Sequence, residues 1–357
     1  MKYYAVEQIP AKNKYNAGSK ARNDIAAILS ESGVLPLYAD FRKTYPENSS
    51  AAEKIRKHFE YRRTWYRAFS TLKKGDIVYI QYPVSHSTFF LNFLFSRCRK
   101  RGIICVAVIH DLEILRKFLT AGHLSAMNRL RCVLASRRLN QFSRIIAHND
   151  VMKRYLTGFC GIPENRITSL EIFDYLTEDN AVKSPDEAWK VRDHVIIAGN
   201  LNEDKAGYVY GLPSRPVFVL YGAGFTGDAG TNILYKGAFP PDELPSALHG
   251  AFGLVWDGPD CSTCSGITGN YLRYNNPHKV SLYLASGIPV IIWKHAAMAA
   301  FVRKNGCGIT VGSVGEISRR IDAVSEEEYR KMKRCAEQVG YRLRHGYYTK
   351  KALELDE

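Results

Sequence analysis

Short apolar runs, each followed by a longer stretch with helical spacing, constrain this chain more than any other feature. Ile103–Ile109 (IICVAVI), His194–Ala198 (HVIIA), Val217–Leu220 and Val290–Trp293 contain no charged residue apart from the leading His194. A strand that is apolar on both faces must be covered on both faces. A parallel sheet with helices on each side does this. In the first half, predicted strands at Lys2–Glu7, Val34–Tyr38, Asp76–Tyr82, Ile103–Ile109, Arg144–Ala147 and Ile167–Phe173 alternate with helices at Ser19–Ser32, Ser50–Thr71, Ser87–Lys100 and Ser125–Phe142. Thr177–Arg192 reads as a polar linker, after which the alternation restarts and closes on a helix from Ser325. The expectation is an α/β chain of two doubly wound domains facing across a cleft, with ligands beyond the carboxyl ends of the strands. Residues 1–175 form the first domain and 176–335 the second, and 336–357 form a terminal helix returning to the first.

Composition narrows the function classes. A chain of 357 residues that is 46% hydrophobic is too apolar to be mainly disordered. Its strongest apolar runs, Phe89–Phe95 and Gly102–Ile109, fall far short of the roughly 20 residues of a spanning helix. The opening MKYYAVEQIPAKNK lacks the apolar core of a secretory signal, and eight cysteines follow no framework spacing. These features suit a reduced, cytoplasmic protein, peripheral at most to the inner face of the plasma membrane. The net charge is +15, and residues 1–175 hold all of the excess, with 29 Lys and Arg against 14 Asp and Glu. Nucleic acid, an anionic bilayer and a phosphorylated lipid are candidate partners for such a half, and solvated helix faces are the plain alternative. Lys54, Arg62 and Arg67, interleaved with Trp65, Tyr66 and Phe69, suit an anionic membrane surface.

The second half holds the sharpest motif: Tyr271-Leu-Arg-Tyr-Asn-Asn-Pro-His-Lys279, then Val280-Ser-Leu-Tyr-Leu-Ala-Ser-Gly-Ile-Pro-Val290. Pro277 suits a first helical turn, with Asn276 as its cap. The start of a helix offers unpaired N–H groups and a positive dipole end. Lys279 in that turn opposes the dipole, which calls for an anion beside it. A diphosphate answers that requirement.

This segment resembles the donor-binding helix of GT-B glycosyltransferases. The wider run from Gly253 to Trp293 resembles bacterial galactofuranosyltransferases of O-antigen synthesis and the streptococcal glucosyltransferases that modify adhesins. Asn16–Arg22, Ile109–Glu113, Leu170–Tyr175 and Ala198–Leu201 extend the likeness over most of the chain. The resemblance implies a GT-B fold of two Rossmann-like domains. It also implies metal-independent, inverting transfer of a hexose, galactofuranose or glucose, from a UDP-sugar co-substrate to a glycan or lipid-linked oligosaccharide. No cofactor or metal is expected, nucleic acid is not an expected partner, and a homo-oligomer stays open. On the donor side the candidates are Gly199, Asn200, Tyr221, Gly222, Asp257, Arg273, Tyr274, Asn275, Asn276, Lys279 and Ser281. Leu282 stands where the wider family carries a ribose-binding Glu, so either Ser281 or a neighbouring Asn replaces it or the ribose is held elsewhere.

The first half should supply the acceptor side. His110 and Asp111 follow a buried strand, where a general base would face the cleft. Asp111 is the expected base and His110 its orienter or alternative; capping the next helix is the other role open to Asp111. Gly18 and Ser19 belong to a cleft loop, or Ser19 caps a helix. Cys261 and Cys264 lack a second pair at zinc spacing and read as ordinary thiols, Cys264 lining the cleft. A nucleotide-sugar epimerase, a silent UDP-binding subunit and a basic nucleic-acid-binding protein remain as rival readings.

Overall fold

The apolar runs become strands, and every strand pair is parallel. A computed structural model describes residues 1–8, 17–41, 50–119, 125–178, 185–228 and 230–355. In the first half β1 (Lys2–Gln8), β2 (Leu35–Asp40), β3 (Ile77–Tyr82), β4 (Ile104–Ile109), β5 (Arg144–Ala147) and β6 (Ile167–Ser169) make one sheet. They are interleaved with α1 (Ala17–Glu31), α2 (Ala51–Ser70), α3 (Leu91–Lys100), α4 (Ala126–Leu139) and α5 (Asp150–Gly158). After α6 (Pro185–Trp189), the second sheet is built from β7 (His194–Ala198), β8 (Val217–Tyr221), β9 (Ile233–Tyr235), β10 (Phe252–Val255), β11 (Val290–Trp293) and β12 (Gly308–Val311). Its helices are α7 (Glu203–Ala206), α8 (Leu244–Ala247), α9 (Gly266–Tyr271), α10 (His278–Ala285), α11 (Ala299–Asn305) and α12 (Ile317–Asp322), followed by α13 (Glu326–Arg344) and α14 (Tyr347–Leu353).

Strand order places the ligand crevices. The sheets run β2-β1-β3-β4-β5-β6 and β12-β11-β10-β7-β8-β9. Each order reverses beside its first strand, between β1 and β3 in one sheet and between β7 and β10 in the other. Crossovers leave such a point in opposite directions and open a crevice at the carboxyl ends. Helix α10 is pinned over the second crevice by Tyr283. The ring lies where a side chain on Gly253 of β10 would stand, since an added Cβ would come within 2.2 Å of it. The Tyr283 hydroxyl accepts the Ala198 N–H at 2.8 Å, at the very end of β7.

A polar lock sets one domain against the other. Asn149, at the N-cap of α5, accepts from the Val151 and Met152 N–H groups and donates to the Tyr274 carbonyl and to Asn276 Oδ1 (2.7 Å). Asn276 donates from its amide to the His148 and Glu171 carbonyls, and its backbone N–H donates to His148 Nδ1 at 3.0 Å. Nearby, Lys20 of α1 pairs with Asp24 (2.7 Å) and, across the domain boundary, with Asp242 (2.9 Å).

The boundaries differ from the sequence reading in several places, and β6 ends at Ser169 where the reading carried it to Phe173. Position 335 falls inside α13, whose Tyr329 and Lys333 bond to the Ala251 and Gly287 carbonyls of the second domain. Helix α14 follows it and reaches the first domain, where Tyr79 donates to the Leu353 carbonyl and Arg144 pairs with Glu354. Within the expected linker, α6 packs on α13 through the Trp189 and Tyr329 rings and the Asp186–Arg330 ion pair. Helix α3 begins at Leu91 instead of Ser87, and β9, β12 and α5 have no counterpart in the sequence reading. The loop expected before Gly18, with Asn16, lies outside the described residues.

Asp174 couples the terminal helix to protonation. Its carboxylate accepts the Tyr348 and Thr349 N–H groups at the start of α14, and burial lifts its pKa to about 7 despite those bonds. A carboxyl raised above its unfolded value of about 3.9 stabilises the fold at low pH and loses that contribution as pH climbs through the folded value. We therefore expect part of the thermal stability to fall between about pH 4 and pH 7. Asp174→Asn should remove that component of the slope in melting curves taken across this range.

Candidate functional site

Three side-chain positions meet at the second crevice. Gly199 follows β7, Asp257 follows β10, and Lys279 sits in the first turn of α10. The Lys279 ammonium donates to Asp257 Oδ1 at 2.8 Å and to the Trp256 carbonyl at 3.0 Å. Burial works against its charge, but the Asp257 carboxylate outweighs burial and raises the pKa, so the amine stays protonated. Gly199 has φ +123°, and an added Cβ would stand 3.3 Å from Lys279 Cε. Gly222, with φ +151°, packs against the Gly199 carbonyl so closely that a Cβ there would overlap it at 1.7 Å. Both glycines serve close approach of backbone to the crevice. Lys205 of α7 joins the cluster. Asp257 favours its charge, but burial and the cations Lys279 and Arg116 prevail and lower its pKa.

Arg116 comes from the other domain. It pairs at 2.7 Å with Asp111 Oδ2 from a π-helical turn, Ile114–Leu119. Asp111 Oδ1 is buried without a partner among the described residues, and Leu112 supplies the carbonyl that accepts the first N–H groups of the turn. The carboxylate of Asp111 is therefore not spent on a cap. Tyr271 of α9 crosses into the first domain's core, where its hydroxyl accepts the Leu112 N–H at 3.0 Å beside Asp111.

A histidine seam adjoins this loop. His110 stacks on Phe173 at 5.4 Å, and His278 lies 5.7 Å from the same ring. Burial, then Arg22, His148 and His278, push the His110 pKa well below its usual value. Burial lowers His278 to about 4 and His148 to about 3. The imidazoles are neutral at pH 7, and Nε2 of His110 and of His278 has no hydrogen-bond partner among the described residues. Asn275 Oδ1 is buried without one as well.

Several expected donor contacts have other tasks. Pro277 is the N-cap of α10, with no side-chain bond, because Asn276 is held in the domain lock. The Ser281 hydroxyl donates to the Phe173 carbonyl at 2.7 Å, and Leu282 is buried in the core, so neither offers a free polar group to a ribose. Tyr221 is buried, with its hydroxyl donating to the Ala247 carbonyl and accepting the His249 N–H. Tyr274 packs its ring on Tyr155 at the domain seam. The exposed Arg273 stacks over Trp293 at 4.5 Å. Asn200 is exposed, and its Oδ1 accepts the Asn202 N–H in a local turn. Gly18 and Ser19 lie within α1. Cys264 is buried beneath Asp257, and burial pushes its thiol pKa up. Sequence reading passed over Lys205, Arg116, Arg22, Tyr271 and His278. The first lies on a helix of four residues, and the others gain meaning only from groups far away in the chain.

Residues 3–172 match the family described as "Glucosyltransferase 3-like, N-terminal domain", and residues 195–355 match "Glucosyltransferase 3-like, C-terminal domain". The chain belongs to the Glucosyltransferase 3-like family. It is 32% identical over 287 residues to the β-1,6-galactofuranosyltransferase WbbI of Escherichia coli (strain K12), covering 79% of each chain. It is 24% identical to Glucosyltransferase 3 of Streptococcus gordonii, covering 93% of this chain and 92% of the relative. Sucrose-phosphate synthase of Thermosynechococcus elongatus shares the fold, with a TM-score of 0.65 at 11% identity over 100% of this chain and 98% of that one. The protein is a glycosyltransferase with the GT-B fold, so the family and fold expected from the Asn-Asn-Pro-His-Lys block hold.

Gly199→Ala tests the close packing at the crevice. A methyl group there strains the backbone and displaces the Lys279 side chain. The expected result is a lower melting temperature, by roughly 1–3 kcal/mol of stability, and weaker binding of a nucleoside diphosphate in titration calorimetry.

Proposed function

We propose that this glycosyltransferase moves a hexose, galactofuranose or glucose, from a UDP-sugar to a hydroxyl of a glycan in bacterial polysaccharide, lipopolysaccharide or glycoprotein synthesis. The observation that carries this reading is the protonated Lys279 at the start of α10, facing Asp257 with Lys205 alongside. A diphosphate set among these cations and the first N–H groups of α10 would be stabilised most as it leaves, when its charge grows. The sugar choice follows the activities for which the relatives are named.

The reaction is an in-line displacement with inversion. Asp111 takes the acceptor hydroxyl proton as the oxygen attacks the anomeric carbon, whose bond to the diphosphate oxygen breaks. UDP leaves with that electron pair. Arg116 orients the Asp111 carboxylate, and Tyr271 holds its loop from the donor domain. His110, neutral and with Nε2 unpartnered, is the other group able to accept the proton. With Lys279, Lys205 and the start of α10 to meet the diphosphate, the reaction needs no metal ion, and EDTA is expected to leave turnover unchanged.

A thermal-shift screen of nucleotide sugars comes first, because a ligand at 100 times its Kd stabilises by about 2.7 kcal/mol. The largest shift is expected with UDP-sugars, and no shift with any nucleotide sugar would sink the reading. Lys279→Ala should lower kcat by on the order of 10²–10³-fold with the fold retained. Asp111→Asn should lower kcat by about 10²–10⁴-fold with donor binding intact. A larger loss in His110→Ala than in Asp111→Asn would move the base to the imidazole.

A further inference from the structure

Much of the basic charge of the first domain lies on α2, α3 and α4, which also carry a group of its exposed apolar side chains. Residues 51–140 hold 18 Lys and Arg against five Asp and Glu. In α4 the buried side chains are Cys132 and Leu139. At about 100° per residue, Met127, Leu130, Val133 and Leu134 point away from those two. They are 59, 53, 47 and 47% exposed. The helix has no acidic residue, and Arg129, Arg131 and Arg137 flank the apolar stripe. Its last turn is tied to the first turn of α3 and the segment leading into it, where Arg138 donates to Asn92 Oδ1 at 3.0 Å and to the Ser87 hydroxyl. That segment continues the apolar surface through Phe89 and Phe93, which are 52 and 67% exposed. It meets α2 where Phe90 touches Phe59 and lies under Arg62. Ile55 and Phe59, one turn apart on α2, complete the patch.

An exposed apolar stripe flanked by arginines on a helix too short to span a bilayer is the pattern of an interfacial helix. At 1.5 Å per residue α4 is about 21 Å long, enough to lie along a membrane surface. No helix among the described residues is long and apolar enough to cross one. We propose that α4, the Phe89–Phe93 segment and the adjoining flank of α2 dock on an anionic lipid bilayer. The apolar side chains enter the headgroup boundary, and the arginines and lysines meet the lipid phosphates. A nucleic acid would match the charge but leave Met127, Leu130 and Phe93 facing a polar backbone. A second copy of the chain would bring this basic face against another. The surface is on the outer side of the first domain, and the proposal is independent of which sugar the cleft takes.

Flotation of the full chain with vesicles tests the assignment. Recovery with vesicles of phosphatidylcholine and phosphatidylglycerol, none with phosphatidylcholine alone, and release by high salt are the expected results. Arg129→Gln with Arg137→Gln should weaken partitioning by roughly fivefold per arginine. Leu130→Ser with Leu134→Ser should weaken it as well, with the melting temperature unchanged in both variants because all four positions are exposed. Failure of the wild type to float with either composition overturns the proposal. So does binding to duplex DNA that the serine pair leaves intact while vesicle binding is absent. A concentration-dependent dimer in light scattering that the serine pair dissolves, again without vesicle binding, assigns the stripe to a second copy and likewise overturns it.

Discussion

A buried ammonium at the positive end of a helix is the constraint on which the donor crevice turns. Lys279 and the α10 dipole have the same sign at that point, and one carboxylate, Asp257, stands between them. Pinning α10 over the β7–β10 switch point requires Tyr283 to occupy the space that Gly253 leaves empty. Holding the ammonium against the backbone requires a residue without a side chain at Gly199. Local positive charge of this kind is stabilised when a polyanion enters. Asp257 stabilises the Lys279 charge here, whereas burial and the neighbouring cations work against the charge of Lys205.

The second organising element is the hydrogen-bond lock of His148, Asn149 and Asn276. These groups are buried and bonded to one another, so removing one would strand its partners at a cost of about 1–3 kcal/mol each. Because they join the domains directly at the cleft, the lock also fixes the distance across which chemistry takes place. Tyr271 works in the same direction, as a donor-domain side chain that completes the acceptor-domain core and holds the loop carrying Asp111. The histidine seam beside it is neutral, and the Nε2 atoms of its three imidazoles have no hydrogen-bond partner among the described residues.

The charge asymmetry of the chain divides between two surfaces. Arg22 and Arg116 face inward and tune the cleft. Most of the remaining excess lies on α2, α3 and α4, where basic residues outnumber acidic ones and accompany exposed apolar side chains. A merely solvated face would intersperse both signs. The terminal helices add a different link: α13 stays with the donor domain, and α14 crosses to the other, capped by the Asp174 carboxylate.

Much of this was legible in the residues. Continuous apolar strands dictate a parallel sheet covered on both sides, because no other arrangement hides both faces. The Asn-Asn-Pro-His-Lys block fixed Lys279 at a helix start and, through its resemblance, the GT-B family. Gly199 and Asp257 follow β7 and β10 as the sequence reading has them, because strand ends at a switch point share one crevice. What the sequence did not determine depends on groups far apart in the chain. Asn276 looked like a helix cap, but His148 and Asn149 hold it in the domain lock. Ser281 looked free to bind ribose, but its hydroxyl donates to Phe173. Tyr221 looked exposed at a strand end, but Ala247 and His249 claim its hydroxyl. Lys205 and Arg116 gave no local signal at all. A hydrogen bond or a charge interaction depends on distance in space, whereas periodicity and propensity report only neighbours along the chain. Only the packing of one domain on the other decided which polar groups were satisfied and which remained for a ligand.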